Sequence, residues 1–224
     1  KDAAEGLSPG ALWLQLSTVG IESAQALHAL AEELGLVFYD APVQGTRQPA
    51  ENGKLVILAS GPLERRSELS SLFAAISQRV VWVSPDAGDG SKLKLVLNAF
   101  VLTLTHAIAE SFSLAKALGI DAMLITDVVD GGPLDSGYFK SKAGAIVSGN
   151  FDASFTVANA TKDAKLVEAA ANAAGLHLDL AIAGLQRFRR AGARGHADKD
   201  FAASYLAGNL LEDGLQAPSG NAHG

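Results

Sequence analysis

The chain has 224 residues, 48% hydrophobic and 19% charged, which suits one large domain or two modest ones and excludes a chain disordered throughout. Eighteen Lys and Arg against 24 Asp and Glu give a net charge of -6 with no basic run, so nucleic acid and an anionic membrane surface are not expected partners. The lack of cysteine excludes disulfides, thiolate catalysis and Cys-based zinc or iron–sulfur centres, and restricts any metal to His and carboxylate ligands.

Up to Gly88, short β-rich runs alternate with helical patterns. Residues 12–16 read as a buried strand, and the hydroxyls of Ser17 and Thr18 are placed to cap a helix over 21–34 whose apolar positions recur at helical spacing. Residues 36–39 form the next strand, stopped at Asp40-Ala41-Pro42. A turn around Asn52-Gly53 precedes a strand over 55–59, a helix over 63–77 and a strand over 80–83. Strands separated by helices of this length predict a parallel or mixed α/β sheet with helical crossovers, the half of a doubly wound fold.

After Gly88 the strand signals stop. From 91 to 118 there is no Pro or Gly, and apolar residues cover more than one face, which predicts one long helix buried on most sides. Asp121 is positioned to cap a helix over 122–129, and further helical patterns lie near 138–148, 161–174, 180–190 and 199–206. The expected organisation is therefore 1–88 as part of a sheet domain, 89–215 as an all-helical domain built on the long helix, and 216–224 as a flexible tail. The most apolar stretch, 95–109, is interrupted by Asn98, Thr103, Thr105 and His106, so no membrane-spanning helix is expected. The first residues do not have the form of a signal peptide, and a cytoplasmic location is the expectation.

Four places carry polar groups beyond what folding needs. Asp40-Ala41-Pro42-Val43-Gln44-Gly45-Thr46 follows a predicted strand, at the edge where α/β sheets bind ligands, although an ordinary loop has the same composition. Gly88-Asp89-Gly90 opens the long helix, on which Lys94 and Asn98 fall one turn apart on one face. A lysine set among Leu93, Leu95, Val96 and Leu97 is either an acid–base group with a pKa lowered by burial or a surface lysine whose stem covers apolar area. Lys162-Asp163 follows Phe155 near a predicted helix start. In Gly195-His196-Ala197-Asp198-Lys199-Asp200 an Asp capping the next helix is a better reading than a metal site. No Gly-x-Ser-x-Gly, Walker loop or His-Glu-x-x-His occurs, which disfavours hydrolases, nucleotidases and zincins, and no Gly-x-Gly-x-x-Gly follows a strand.

In order and spacing these segments resemble the β-hydroxyacid dehydrogenase family, from about residue 12 to 203. Ser17-Thr18 is similar to the family's cofactor-facing pair, and the Asp40–Thr46 segment to its substrate-carboxylate loop. Lys94 and Asn98 match its catalytic Gly-x-Gly-x-x-x-Lys-x-x-Asn-Asn segment, and Phe155 to Lys162-Asp163 its cofactor-contacting lysine motif. The resemblance implies a Rossmann-type doubly wound sheet followed by an all-α domain, and an NAD(P)-dependent oxidoreductase interconverting a small β-hydroxy acid and its aldehyde or keto form. It assigns Lys94 as general acid/base, Gln44, Gly45, Thr46 and Asn98 to the substrate, Thr18 and Lys162 to NADP or NAD, and no metal. The implied partners are a small hydroxy acid or aldehyde and a second copy of the chain, paired through the helical domain. Gln44 stands where the family has Ser, Thr46 where it has its second Gly, and Leu97 where it has its first Asn. The family's dinucleotide fingerprint lies in a preceding Rossmann segment, so the sequence is expected to be part of a longer chain. An imine reductase-like NADPH enzyme and a non-catalytic dimerising scaffold are the alternatives.

Overall fold

The computed structural model describes residues 6–208, and the tail expected over 216–224 lies outside them. Strand β1 (Leu12–Gln15) leads to helix α1 (Ile21–Glu33), then β2 (Val37–Asp40), the short β3 (Val43–Gln44), α2 (Arg47–Glu51) and β4 (Leu55–Ser60). A 3-10 turn at Arg66–Leu69 continues into α3 (Ser70–Ile76) and β5 (Ser77–Ser84). The long α4 (Asp89–Ala117) is followed by α5 (Ala122–Val129), α6 (Gly137–Ser148), α7 (Val157–Ala173) and α8 (Asp179–Ala191). A π turn at Gly192–His196 and a 3-10 helix at Phe201–Ala207 complete the described elements.

The described residues divide into two compact units, and the divisions fall inside helices. Within the described residues one unit comprises 6–102 with Lys162–Ile182, the other Thr103–Thr161 with 183–208. In the first unit β1 and β2 run parallel, with Leu12 opposite Val37 and Gln15 opposite Asp40. β4 pairs antiparallel with β3 and with the end of β2, and parallel with β5. The sheet is thus mixed, as the alternation of strand and helix patterns predicts. Its core is Tyr39, Ala41, Ile57, Ala59, Leu69 and Phe73, with Leu14, Val37, Val80 and Trp82 packed around them. The Tyr39 hydroxyl donates to the Pro62 carbonyl at 2.7 Å, which satisfies the polar tip of this otherwise apolar cluster.

Two local expectations are corrected here. Ser17 and Thr18 do not cap α1: its N-cap is Gly20, at φ 87°, with no side-chain cap bond. A Cβ on Gly20 would lie 2.8 Å from Leu166 Cδ2, so close approach to α7 together with a left-handed backbone selects glycine over a capping hydroxyl. The loop after β2 also contains β3 and α2, both too short for a periodic signal.

In the second unit Ile108, Ala109, Phe112, Ala143 and Ile146 form the core, ringed by Leu104, Ile125, Tyr138, Phe139 and Phe151. A buried ion pair ties its elements together. Lys142 Nζ donates to Asp200 Oδ1 at 2.8 Å and sits 4.0 Å from the centre of the Phe201 ring. Asp200 also accepts from the Ala202 amide at 3.0 Å, the capping role read for it in the sequence, and from the Ser154 hydroxyl at 2.6 Å. Helix α4 has an apolar face left bare, contrary to the expectation of burial on most sides, with Val96, Phe100 and Leu114 exposed. By length and composition α4 would also cross a bilayer, but Ser91, Lys94, Leu95, Asn98, Leu102, Thr105 and Phe112 on it are buried in protein.

Candidate active site

The start of α4 is fixed on the ends of two strands in the first unit. Asp40, at the end of β2, is fully buried and accepts from the Ser91 amide at 2.6 Å through Oδ2 and from the Ser91 hydroxyl at 2.8 Å through Oδ1. Its carboxylate thus meets the amide end of the helix, where negative charge is favoured. Burial pushes the Asp40 carboxyl up from the ordinary range, and the two bonds from Ser91 oppose that shift. Ser60, at the end of β4, accepts from the Gly90 amide at 2.9 Å and donates to the Asp40 carbonyl at 3.2 Å. Only glycine fits at position 90. A Cβ there would lie 2.3 Å from the Leu58 carbonyl oxygen and 2.7 Å from that of Asp40.

One turn further on, this anchoring delivers Lys94 to the strand-end loop. Lys94 is buried, and its Nζ donates to Gln44 Oε1 at 2.9 Å. Among the described residues it forms no ion pair with a carboxylate within 4.0 Å. Burial is the largest influence on this ammonium and lowers its pKa. The Asp163 carboxylate works the other way and the Lys162 ammonium adds to the lowering. On the next turn Asn98 Nδ2 donates to Asp163 Oδ2 at 3.0 Å, both side chains being buried. That bond orients the Asn98 amide. Lys94–Gln44 and Asn98–Asp163 are thus two hydrogen-bonded pairs on successive turns of α4, linked by the charge of Asp163 acting on Lys94.

The remaining predicted site residues lie in the same unit. Gly45 has φ 132°, and a Cβ there would lie 2.7 Å from Leu55 Cδ2, so the turn after Gln44 requires glycine. Thr46 is the N-cap position of α2 and makes no side-chain cap bond. Lys162 is exposed, its Nζ donating to the Thr18 carbonyl at 2.7 Å and lying 2.9 Å from Asp163 Oδ1. It thereby links the loop after β1 to α7 and, through Asp163, to Asn98. The sequence places Asp163 near a predicted helix start without giving it a role, and it does not reveal Asp40 and Ser91 as anchors. Helix α7 in fact begins six residues earlier, at Val157, and buries Val157, Ala160, Ala164 and Val167. Periodicity places Asp163 on that apolar face, and this was the readable signal for a buried carboxylate. Among the described residues no three His, Asp or Glu side chains gather as metal ligands would.

Residues 88–207 match the family model described as the NAD-binding domain of NADP-dependent 3-hydroxyisobutyrate dehydrogenase, and residues 1–84 match the NAD-binding domain of 6-phosphogluconate dehydrogenase. The chain is similar to glyoxylate/succinic semialdehyde reductase 1 of Arabidopsis thaliana, 27% identical over 89% of this chain and 68% of that protein. It is also 30% identical to the mouse cytokine-like nuclear factor N-PAC over 91% of this chain. Among solved structures it resembles 3-hydroxyisobutyrate dehydrogenase of Salmonella typhimurium, with a TM-score of 0.84 and 28% identity over 91% of this chain and 71% of that one. The Mycobacterium tuberculosis 3-hydroxyisobutyrate dehydrogenase with L-serine gives 0.80 and 26%, over 92% and 72%. The chain spans 68% of the plant reductase and 37% of N-PAC.

Proposed function

The chain belongs to the β-hydroxyacid dehydrogenase family, and from that premise we propose that it is an NAD(P)-dependent oxidoreductase interconverting a small β-hydroxy acid and its aldehyde or keto form, with Lys94 as general acid/base. The observation that carries the proposal is the buried Lys94 ammonium, hydrogen-bonded to a neutral amide and one helical turn from the oriented amide of Asn98. Burying a cation against a neutral partner costs stability. A scaffold has no use for that cost, and this favours catalysis over the non-catalytic alternative.

The donor set fits a nicotinamide dinucleotide: the exposed Lys162 ammonium suits a phosphate or ribose oxygen, and it is held against the Thr18 carbonyl at the carboxyl end of β1. Thr18 and Lys162 are the residues we assign to the cofactor, which when bound supplies or removes a hydride. Lys94 Nζ gives its proton to the substrate oxygen as carbonyl becomes hydroxyl, and takes it back in the reverse direction. Lowering the Lys94 pKa brings both protonation states within reach of a working pH. Asn98 orients the substrate, and the Gln44-Gly45-Thr46 backbone holds its acid end. Pairing of two copies through the helical part belongs to the same proposal, supported by the exposed Leu124, Val128 and Leu134.

The test is reduction of a 3-oxo acid such as 3-oxopropanoate, alongside glyoxylate and succinic semialdehyde, with NADPH or NADH by the full-length protein. Lys94→Ala lowers kcat by about 100- to 10,000-fold, the range of a lost general acid. Turnover near that of the wild type removes Lys94 from the chemistry.

A further inference from the structure

Gln44 stands where the resemblance leads one to expect Ser, and the structure gives its longer side chain a partner, Lys94. Its backbone cannot slide. Val43 and Gln44 are registered against Ile57 and Val56 of β4, and the left-handed Gly45 is wedged against Leu55 and Pro49. From this fixed origin the carboxamide reaches the ammonium, whereas a serine side chain, ending at Oγ, falls short of it. We propose that Gln44 is a positioning residue for Lys94, its side-chain oxygen keeping the buried ammonium proton-loaded and aimed along the strand-end loop; this rests on the oxidoreductase reading above.

The chemistry of an amide suits that task. Its oxygen accepts a charge-assisted hydrogen bond but does not take the proton, so it favours the ammonium without competing as a base. Ammonium has three N–H donors, and one bond to Gln44 leaves the others for a substrate oxygen. The charged groups that face Lys94 are Asp163, which favours the ammonium, and Lys162, which opposes it, both on α7. Burial acts on the side of Lys162. Gln44 is the direct hydrogen-bond partner that offsets it. The role predicted is delivery of a proton to a carbonyl, with the alkaline limit of reduction set partly by residue 44.

The test follows the Lys94 amine by NMR titration of the isotopically labelled full chain, its signal identified by loss in Lys94→Met. Gln44→Leu moves the midpoint down by about one pH unit, about a tenfold change in proton affinity, because the acceptor is gone. Gln44→Glu moves it up by a similar amount. Gln44→Met, close in length to the native side chain, repeats the leucine shift should the branched residue disturb the loop, which a thermal melt reveals. The alkaline limb of kcat for carbonyl reduction moves in the same directions. Titration of all the variants with the wild type overturns the inference, even where Lys94→Ala abolishes turnover. Shifts in both directions from a protein that reduces nothing uphold the Gln44–Lys94 coupling and overturn the oxidoreductase reading instead.

Discussion

Lys94 carries a conflict between stability and function that can be measured. Its pKa is lowered in the folded state from 10.5, so between the folded value and 10.5 the unfolded chain binds more protons than the folded one. Stability therefore rises with pH across that window, and below it the full cost of the buried charge is present. Lys142, also lowered by burial, gives a slope of the same sign, although Asp200 opposes its shift. Lys94→Met removes the charge at nearly constant length. At neutral pH its Tm is expected to rise by about 3–6 °C, as removing a cost of one or two kcal/mol does in a chain of this size. Its alkaline slope becomes shallower while activity disappears. A Tm at or below that of the wild type, measured by calorimetry at pH 7, shows that the ammonium is not a burden on the fold.

At the scale of elements, the site depends on how α4 meets the sheet. Gly90 lies on the carbonyl oxygens of Leu58 and Asp40, and backbone oxygens cannot swing aside as the end of a flexible side chain can. Gly90→Ala is expected to lift the first turn of α4 and to strain the Gly90–Ser60 and Ser91–Asp40 bonds, costing about 3 kcal/mol in urea unfolding. Lys94, one turn further on, moves with it, so kcat falls as well; unchanged unfolding and turnover would show that the helix is not seated by this contact. Much of this arrangement was legible in the sequence. Strands at 12–16, 36–39, 55–59 and 80–83 and the long helix have strong periodicity, and structure places each within a few residues of its predicted bounds. Lys94 and Asn98 stand out by falling one turn apart and the Gln44-Gly45-Thr46 loop by following a strand, while their substrate roles come from the family resemblance alone. What escaped reading was tertiary. Whether a hydroxyl at 17 or 18 caps a helix is decided by Leu166, far along the chain, and Asp40 becomes an anchor only when Ser91 is brought to it. β3 holds its two residues by pairing with β4 alone.

For the molecule as a whole, acid stability turns on an imidazole that the proposed chemistry does not use. His106 on α4 is buried in the second unit, its ring 4.2 Å from that of Phe188, and among the described residues neither ring nitrogen has a hydrogen-bond partner. Gly184 makes room for it, since a Cβ there would lie 2.5 Å from the imidazole. Burial lowers its pKa from 6.5 to about 3, and the cations of Arg187 and Arg190 on α8 push the same way. A depressed histidine binds fewer protons folded than unfolded, so its contribution is intact above 6.5 and is withdrawn as pH falls from 6.5 to about 3. At about 1.4 kcal/mol per pKa unit the loss is on the order of 5 kcal/mol, a large share of a typical domain's stability. Asp40, raised by burial, works in the opposite direction over the acid range, and Asp200, whose burial is outweighed by the bonds from Lys142, Ser154 and the Ala202 amide so that its pKa is lowered, adds to the loss below the ordinary carboxylate range. Histidine is the group that acts first on acidification from neutral pH. His106→Leu keeps an apolar side chain against Phe188 and removes the titration, so its Tm is expected to fall much less between pH 7 and 4 than that of the wild type. Parallel Tm curves for the two proteins across that interval would transfer the acid sensitivity to the carboxylates and to His196, whose pKa burial also lowers.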